Sequence, residues 1–356
     1  MCKLSSLVER ASSRLSDRRA QQLTTLTFIE TSPNSAARTK VNVVVLDDYH
    51  AVALTLGPWH KLGDNVDVVV HTDHMADDDA VVKRLAEAHV VVVMRERTPL
   101  TRARLERLDN LQLIVTTGME NRSIDMACAR ERGVTVCGTR GGLSNAVEHT
   151  WALILSLLRN LPTEEHNIRN GSWQSTIGRD LFGSTLGLVG LGRTGTRMAR
   201  VARAFDMNIL AWSPHLTPEV AETHGARAVS KEQLFADSDV VSVHLQLSES
   251  TRGIITASDF ARMKKTAVFV NTSRGALVDE EALEKAVRDG EIAGAALDVF
   301  TTEPLPADSS MRSMPNSILT PHVGYVTEGL YRRFFTDIVE DVSMHVAGNP
   351  VRVLNS

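Results

Sequence analysis

Residues 185–204, TLGLVGLGRTGTRMARVARA, decide the fold of this 356-residue chain. The stretch opens with an apolar β-run and passes into a helical pattern through a glycine-rich turn with the spacing GxGxxG, formed by Gly190, Gly192 and Gly195. A further apolar run at 208–212 closes a unit of about thirty residues. A lone GxGxxG is a weak signal, but one that follows a strand and opens a helix indicates a dinucleotide-binding βαβ unit.

The three glycines of this turn meet three different steric needs. Gly190 allows a sharp turn, Gly192 lets the backbone approach a pyrophosphate, and Gly195 lets the helix pack close to the strand. The unpaired N–H groups at the start of the helix then face the anion. We therefore expect a dinucleotide to bind at this turn.

The residue that selects between NAD and NADP departs from the usual pattern. A Rossmann site for NAD carries Asp or Glu near the end of the second strand, where the carboxylate accepts hydrogen bonds from the ribose 2′-hydroxyl. Here Ser213 stands at that place, followed by Pro214 and His215. Ser213 brings no negative charge to repel a 2′-phosphate, but no Arg follows to hold that phosphate. We expect NAD and leave NADP open.

Short apolar runs alternate with helical stretches from residue 41 onward, which is typical of βαβ units. The runs are too continuously apolar for a half-exposed antiparallel sheet and suit parallel strands covered on both faces. A first set lies at 41–46, 66–70, 89–94, 111–115 and 134–136. A second set lies at 185–189, 208–212, 239–243, 266–270, 293–297 and 317–319. The sequence therefore predicts an α/β protein with two doubly wound parallel-sheet domains, Rossmann-like or flavodoxin-like, and a cleft between them.

The domain boundaries follow from two helices. A long helical pattern at 144–160, with Ser144 as a candidate N-cap, separates the two sets of strands. The last helical pattern, 327–347, needs a partner face, and we place it on the first domain because both sheets already have their own helices. We thus predict a substrate-binding domain of residues 41–143 plus 325–356 and a nucleotide-binding domain of residues 144–324.

Composition, charge and cysteine spacing argue against a nucleic-acid-binding protein, a membrane protein and a metal-binding protein. The chain is 43% hydrophobic and 23% charged, which is typical of a globular protein, and its length favours two domains. A net charge of -4 argues against a nucleic-acid partner. The longest apolar runs, such as 151–158, are too short to cross a bilayer, so we expect no membrane helix. Cys2, Cys128 and Cys137 lack CxxC spacing, which argues against a metal site and indicates a reducing compartment.

Residues 1–40 differ from the rest of the chain. They are rich in Ser, Thr, Arg and Gln, with seven Lys or Arg against three Asp or Glu. We interpret them as a basic, disordered N-terminal extension, although a basic and acid-poor start also permits a transit peptide for import into mitochondria. We expect a cytoplasmic protein and leave import open.

Three polar segments end strands of the second sheet, and all three are predicted to lie at the same sheet edge. They are 270–275 (VNTSRG), 297–304 (LDVFTTEP) and 319–324 (LTPHVG). Open α/β sheets bind their ligands at the carboxyl ends of the strands. These segments therefore lie where the dinucleotide and a second ligand would meet.

Arg274, Glu303 and His322 in these segments fit the reduction of a 2-keto acid. The planar fork of Arg274 can hold the substrate carboxylate and carbonyl while it polarises the carbonyl. His322 can donate a proton to the forming alkoxide and take it back in the oxidative direction. Glu303, bonded to the other ring nitrogen, fixes the tautomer and favours the protonated imidazole.

The chain from about residue 41 to the C-terminus resembles the D-isomer-specific 2-hydroxyacid dehydrogenases, a family that includes phosphoglycerate dehydrogenases and hydroxypyruvate reductases. The family's signatures appear as GLVGLGRTG, MKKTAVFVNTSRGALVDEEAL, AALDVFTTEP and LTPHVGYVT. By this resemblance Arg274, Glu303 and His322 match the catalytic trio. The resemblance also implies two lobes that close over the cleft, with hinges near 143–145 and 324–326, and a homodimer formed through the nucleotide lobe.

The same resemblance implies further binding residues. Arg193 and Thr194 match pyrophosphate contacts, and Asp298 matches the acid on the nicotinamide side of the cofactor. The other implied cofactor contacts are His244, Thr272, Ser273, Arg274, His322 and Gly324. For the substrate the resemblance implies Arg95, Gly118, Met119 and Glu120. Relatives commonly have Gly where Glu120 stands, so its carboxylate either restricts acidic substrates or points to solvent.

The sequence therefore predicts an NAD(P)-dependent oxidoreductase that acts on the CH–OH group of a small 2-hydroxy acid. The alternative is a dinucleotide-binding, corepressor-like interaction protein of the same fold, because an intact trio is compatible with both. Turnover of small keto acids would distinguish the two.

Overall fold

The computed structural model describes residues 40–356 except Leu143, and Lys40–Ser356 form one compact unit. The predicted N-terminal extension therefore lies outside the described residues apart from Lys40, and Leu143 of the predicted hinge lies outside them as well. None of the helices in the described part of the chain combines the length and apolarity needed to cross a membrane.

The first sheet has five parallel strands in the order β2-β1-β3-β4-β5. They are β1 Val41–Val45, β2 Val66–Val70, β3 Val90–Val93, β4 Leu113–Thr116 and β5 Thr135–Gly138. Every residue of β3 and β4 is buried, whereas the edge strand β2 alternates between half-buried and exposed residues. The continuous apolar runs thus form inner strands that are covered on both faces.

The second sheet has seven parallel strands in the order β12-β11-β10-β9-β6-β7-β8. They are β6 Thr185–Val189, β7 Asn208–Trp212, β8 Arg227–Ala228, β9 Val240–Val243, β10 Val268–Asn271, β11 Gly294–Leu297 and β12 Ser317–Leu319. The strand order reverses at β6, which pairs with β7 on one side and β9 on the other. Open α/β sheets bind ligands in the crevice at such a switch point. The predicted fold class is confirmed.

Twelve α-helices occur in the described residues. They are α1 Ala53–Leu56, α2 Asp78–Leu85, α3 Arg102–Leu105, α4 Met126–Glu131, α5 Asn145–Leu158, α6 Leu161–Arg169, α7 Arg193–Ala204, α8 Pro218–Thr223, α9 Lys231–Asp237, α10 Ala257–Phe260, α11 Glu280–Arg288 and α12 Glu328–Val346. Short 3₁₀ helices lie at Trp59–Leu62, Gly275–Leu277 and Ser310–Ser313. Ser144 occupies the N-cap position of α5, but its side chain accepts no capping hydrogen bond.

The two long helices cover different sheets. Trp151 and Ile154 of α5 belong to a core that includes strand residues of the second sheet. Phe334, Phe335 and Ile338 of α12 belong to a core built on strand residues of the first sheet. The C-terminal helix therefore packs on the first sheet, although the exact domain boundaries stay a prediction because residues 40–356 form one compact unit.

A buried acid fastens α12 to the C-terminal segment. The Asp341 side chain is fully buried, and Arg352 Nη2 lies 2.9 Å from its Oδ1. Neither carboxylate oxygen accepts a well-aligned hydrogen bond from any described residue. Burial raises the pKa of Asp341 to about 7, and the nearby Asp337 and Glu340 add to this while Arg352 opposes it. Asp341 therefore ionises in the folded protein only near neutral pH.

This acid predicts a pH-dependent stability. Between its ordinary pKa of 3.8 and about 7, the folded state keeps a proton on Asp341 that the unfolded state releases, so the free energy of unfolding falls as pH rises. Asp341→Asn removes this dependence. The free energy of unfolding of the variant, minus that of the wild type, should therefore increase by about 1–3 kcal/mol between pH 5 and pH 7. Urea unfolding at several pH values measures the difference. If the free energies of unfolding of the two proteins changed with pH in the same way, the raised pKa of Asp341 would be wrong.

Candidate active site

The glycine-rich turn joins β6 to α7 and has no room for side chains at two of its glycines. Gly190 has a φ of +106°, and a Cβ there would lie 2.7 Å from the carbonyl oxygen of His244. A Cβ on Gly195 would lie 2.1 Å from the carbonyl oxygen of Gly190. A Cβ on Gly192 would meet nothing within 4 Å, so the backbone faces open space there. The turn is therefore closed toward the protein and open toward a ligand.

His244 follows β9 and lies against this turn. Its Nε2 is 2.9 Å from the hydroxyl of Ser242. Burial lowers the pKa of His244 to about 3, so the imidazole is neutral at physiological pH. The backbone of His244 thus lies beside Gly190. A contact between the imidazole of His244 and a cofactor stays a prediction.

The other predicted cofactor residues lie along the same edge of the second sheet. Arg193 is exposed at the first turn of α7, and Thr194 beside it is half-buried. Ser213 is half-buried directly after β7, and His215 is exposed. Thr272 lies after β10, where its hydroxyl is 2.7 Å from that of Thr150. These residues line the carboxyl edge rather than converging on one point.

His322 and Glu303 form a bonded pair. The Nδ1 atom of His322 lies 2.6 Å from Oε2 of Glu303, whose Oε1 accepts a hydrogen bond from the backbone N–H of Phe300 at 2.8 Å. The His322 side chain is 24% exposed, so its free Nε2 belongs to a partly enclosed surface. The arrangement leaves Nε2 to exchange a proton with a ligand.

The loop that carries His322 is held by the buried Asp298. This carboxylate accepts hydrogen bonds from the hydroxyl of Thr320 and from the backbone N–H groups of Val323 and Gly324, at 2.6, 2.9 and 2.8 Å. His149 Nε2 lies 3.2 Å away. Burial opposes ionisation, but the hydrogen bonds from His149 and Thr320 bring the pKa of Asp298 below its ordinary value. Sequence reasoning missed His149, which lies on α5.

Arg274 lies after β10 on a loop fixed by its neighbours. Asn271 donates from Nδ2 to the carbonyl of Arg274 and accepts from the N–H of Ser273, both at 3.0 Å. The hydroxyl of Ser273 donates to the carbonyl of Leu245 at 2.5 Å. The guanidinium itself is 36% exposed and donates to the carbonyl of Ser273 and, at 3.4 Å, to Glu96 Oε1. Most of its donors are therefore free for a ligand.

Arg95 enters the site from the first sheet. It follows β3 with a left-handed backbone, φ +58°, and donates from Nη1 to the carbonyl of Thr117 at 3.2 Å. Gly118, with a φ of +96° that favours glycine, leaves the space that this Nη1 occupies, since a Cβ there would lie 2.1 Å from it. Met119 is 49% exposed next to it. Left-handed non-glycine residues such as Arg95 cluster at functional sites.

Glu120 lies at the edge of the site. Its side chain is 59% exposed, and it accepts hydrogen bonds from Gln246 Nε2 at 3.0 Å and from Arg122 Nε at 3.1 Å. It therefore contacts the loop after β9 as well as solvent. A direct effect on acidic substrates stays a prediction.

The structure brings the two arginines and the histidine into one cluster through residues that sequence reasoning missed. Glu96 lies between Arg95 and Arg274, with its oxygens 3.7 Å from Arg95 Nε and 3.4 Å from Arg274 Nη2. The ring of Tyr325 lies edge-on to His322 with centroids 5.6 Å apart, and the guanidinium of Arg95 is 6.0 Å from the Tyr325 centroid. The only sequence signal for Glu96 was a carboxylate between two arginines directly after a predicted strand.

Comparisons with known proteins identify the family. Residues 151–324 match the family described as "D-isomer specific 2-hydroxyacid dehydrogenase, NAD binding domain". The chain is 40% identical over 233 residues to a glyoxylate reductase of Aeropyrum pernix, covering 63% of this chain and 70% of that protein. It is 34% identical over 264 residues to a D-3-phosphoglycerate dehydrogenase of Archaeoglobus fulgidus, covering 73% of this chain and 50% of that protein.

A solved structure of a similarly named protein has the same fold as this chain. The crystal structure of a phosphoglycerate oxidoreductase from Vibrio cholerae superimposes with a TM-score of 0.82 at 36% identity, covering 86% of this chain and 99% of that one. The chain spans about half the length of several curated phosphoglycerate dehydrogenases that it matches. The predicted family and its NAD-binding domain are confirmed: the chain belongs to the D-isomer specific 2-hydroxyacid dehydrogenase family.

Proposed function

We propose that the protein is an NAD-dependent dehydrogenase of small 2-hydroxy acids, which in the reverse direction reduces 2-keto acids. The observation that carries the proposal is the bonded pair of His322 and Glu303 near Arg274 and Arg95, at the carboxyl edge where the glycine-rich turn also lies. The names of the relatives, glyoxylate reductase and D-3-phosphoglycerate dehydrogenase, support the same reaction class.

The residues of the turn fit NAD. The open space over Gly192 and the N-terminus of α7 suit a pyrophosphate, with Arg193 and Thr194 as its further contacts. Ser213 follows β7, where the ribose of the adenosine half would bind. When bound, the cofactor supplies or accepts the hydride.

The side chains of the site supply the binding and the proton. Arg274 has donors free to hold the carboxylate and the keto oxygen of the substrate. In reduction, Nε2 of His322 gives its proton to the oxygen of the new hydroxyl group, and in oxidation it takes that proton back. Glu303 binds Nδ1, which orients the ring and stabilises the imidazolium form.

We also propose that the protein is a homodimer formed through the nucleotide lobe. The segment 161–182, here named the apolar arm, exposes five large apolar side chains. They are Leu161 (51% exposed), Ile168 (51%), Trp173 (77%), Ile177 (95%) and Phe182 (77%). So many exposed large apolar side chains in one short segment favour burial against a partner. A symmetric second copy is the commonest such partner.

A cytoplasmic location stays a proposal. Cys128 and Cys137 are free and buried, and burial raises the pKa of the Cys137 thiol to about 12. Unpaired structural thiols of this kind support a reducing compartment. The alternative of import through residues 1–40 concerns a segment that, apart from Lys40, lies outside the described residues.

The proton-transfer pair gives a testable prediction. His322→Ala should lower kcat for the NADH-dependent reduction of small keto acids by about a hundredfold or more, because the proton donor is lost. NADH binding, followed by fluorescence, should change little. His60→Ala, at an exposed histidine outside the site, is the matched control. A His322→Ala enzyme within threefold of the wild type would overturn the mechanism, and a wild type that binds NADH but turns over no keto acid would favour the interaction-protein alternative.

Cofactor selection gives a further prediction. The wild type should bind NAD at least as tightly as NADP, because no arginine follows Ser213 to hold a 2′-phosphate, and Lys231 near Trp212 is bonded to Asp259 at 2.6 Å. Ser213→Asp should raise the ratio of NAD to NADP affinity by about tenfold or more, since a carboxylate would repel the phosphate. Titration with both cofactors measures this ratio. A wild-type preference for NADP above tenfold would refute the assignment.

The proposed dimer can be tested through the apolar arm. Ile177→Glu combined with Phe182→Glu should convert the dimer to a monomer, because burying two carboxylates without partners is unfavourable. Light scattering after gel filtration gives the mass. Leu54→Glu, at a 60% exposed position on α1, is the control that should stay dimeric. A monomeric wild type, or a dimeric double variant, would show that the apolar arm is not the interface.

A further inference from the structure

Glu96 places a carboxylate on the substrate side of the site. The proposed reaction assigns no role to this carboxylate. It follows Arg95 in the loop after β3, and its side chain is only 27% exposed. Oε1 lies 3.4 Å from Arg274 Nη2, and Oε2 lies 3.7 Å from Arg95 Nε. It therefore faces both of the cations that are available to bind the carboxylate of a substrate.

Glu96 is ionised at neutral pH and incompletely bonded. Burial opposes its ionisation, but the positive charges of Arg95 and Arg274 bring the pKa of Glu96 below its ordinary value. Oε2 is inaccessible to water and accepts no hydrogen bond from any residue in the described part of the chain. Oε2 is therefore held next to the charge of Arg95. Oε1 is the oxygen beside Arg274, so it is the negative acceptor that a ligand bound to Arg274 would meet.

The net charge of the site matches a substrate that carries one negative charge. Arg95 and Arg274 are positive and Glu96 is negative, which leaves one positive charge to bind a ligand. The His322–Glu303 pair adds no net charge when the imidazole carries its proton. A keto acid with one carboxylate is neutralised there, whereas a second negative charge would stay unpaired in a partly buried space, which is unfavourable.

Arg97 lies in the same loop and is held against the protein. Its Nη1 donates to the carbonyl of Asp47 at 2.7 Å, and its guanidinium lies 4.2 Å from the ring centroid of Tyr49. Asp47 itself is buried and bonded to Thr98 at 2.6 Å. The guanidinium of Arg97 therefore packs on Tyr49, and the nearby carboxylate of Asp47 offsets its positive charge.

We propose that Glu96 determines substrate specificity: it admits 2-keto acids with a single negative charge, favours those with a hydroxyl on the carbon next to the keto group, and excludes phosphorylated and dicarboxylic ones. The inference rests on the proposed function and names its substrate class. The carbon beside the keto group is one bond from the centre that Arg274 holds, so a hydroxyl there is within reach of an acceptor that contacts Arg274. The same acceptor repels a phosphate or carboxylate at that place.

The experiment compares kcat/KM for hydroxypyruvate, pyruvate, 3-phosphohydroxypyruvate and oxaloacetate, with NADH, in the wild type and in Glu96→Gln. The wild type should prefer hydroxypyruvate over each of the other three acids by tenfold or more. Glu96→Gln keeps the shape but removes the charge, so it should shift the ratio of 3-phosphohydroxypyruvate to hydroxypyruvate at least tenfold toward the phosphorylated acid. Glu106→Gln, at an exposed carboxylate on the same lobe, should leave the ratio unchanged.

The outcomes separate this inference from the proposed function. A wild type that reduces keto acids but prefers the phosphorylated or dicarboxylic ones overturns the role of Glu96 while the dehydrogenase assignment stands. An active Glu96→Gln enzyme with an unchanged ratio does the same. The wild-type preference remains decisive if Glu96→Gln fails to fold. A wild type that reduces none of the four acids overturns the inference, and it refutes the proposed function as well if glyoxylate is not reduced either.

Discussion

The buried carboxylate of Asp298 is the interaction on which the arrangement of the site depends. Its hydrogen bonds to Thr320, Val323 and Gly324 fix the loop on both sides of His322, whose backbone is left-handed with a φ of +54°. Such a conformation costs a non-glycine residue on the order of 1–3 kcal/mol. A hydrogen bond to a charged group contributes about 1.5–3 kcal/mol. The bonds to Asp298 therefore offset the strain and hold the imidazole where Glu303 can bind it.

Parallel strand direction brings the remaining groups to the same place. Loops that follow parallel strands leave the sheet at its carboxyl edge, so Arg95 and Glu96 after β3 and Arg274 after β10 emerge at the edges of their two sheets. The contact between Glu96 and Arg274 joins loops that are 178 residues apart in sequence. Two cations and one carboxylate consequently share a small, partly enclosed volume. In the proposal for Glu96, their combined charge, more than the shape of any one residue, selects the anions that enter.

The fold and the candidate catalytic residues could be predicted from the sequence alone, because both follow from local patterns. The runs at 66–70, 185–189 and 317–319 are strands with those bounds, since short apolar segments between polar turns suit β-strands; 185–189 is an inner strand, and the other two lie at sheet edges. The two-residue strand Arg227–Ala228 was missed because it is too short and too polar to show a period. Glu96 and His149 were missed because their partners are distant in sequence, and nothing local reveals the left-handed backbone of Arg95 or His322.

We propose that Arg274 and the His322–Glu303 pair act together on one substrate beside the nicotinamide. A crystal structure of the protein with NADH and oxamate, an unreactive analogue of a 2-keto acid, would show whether they do. The guanidinium of Arg274 should bind the carboxylate of oxamate, and Nε2 of His322 should lie about 3 Å from its amide oxygen. If oxamate binds away from Arg274, or if the imidazole faces away from the nicotinamide ring, the proposed mechanism is wrong.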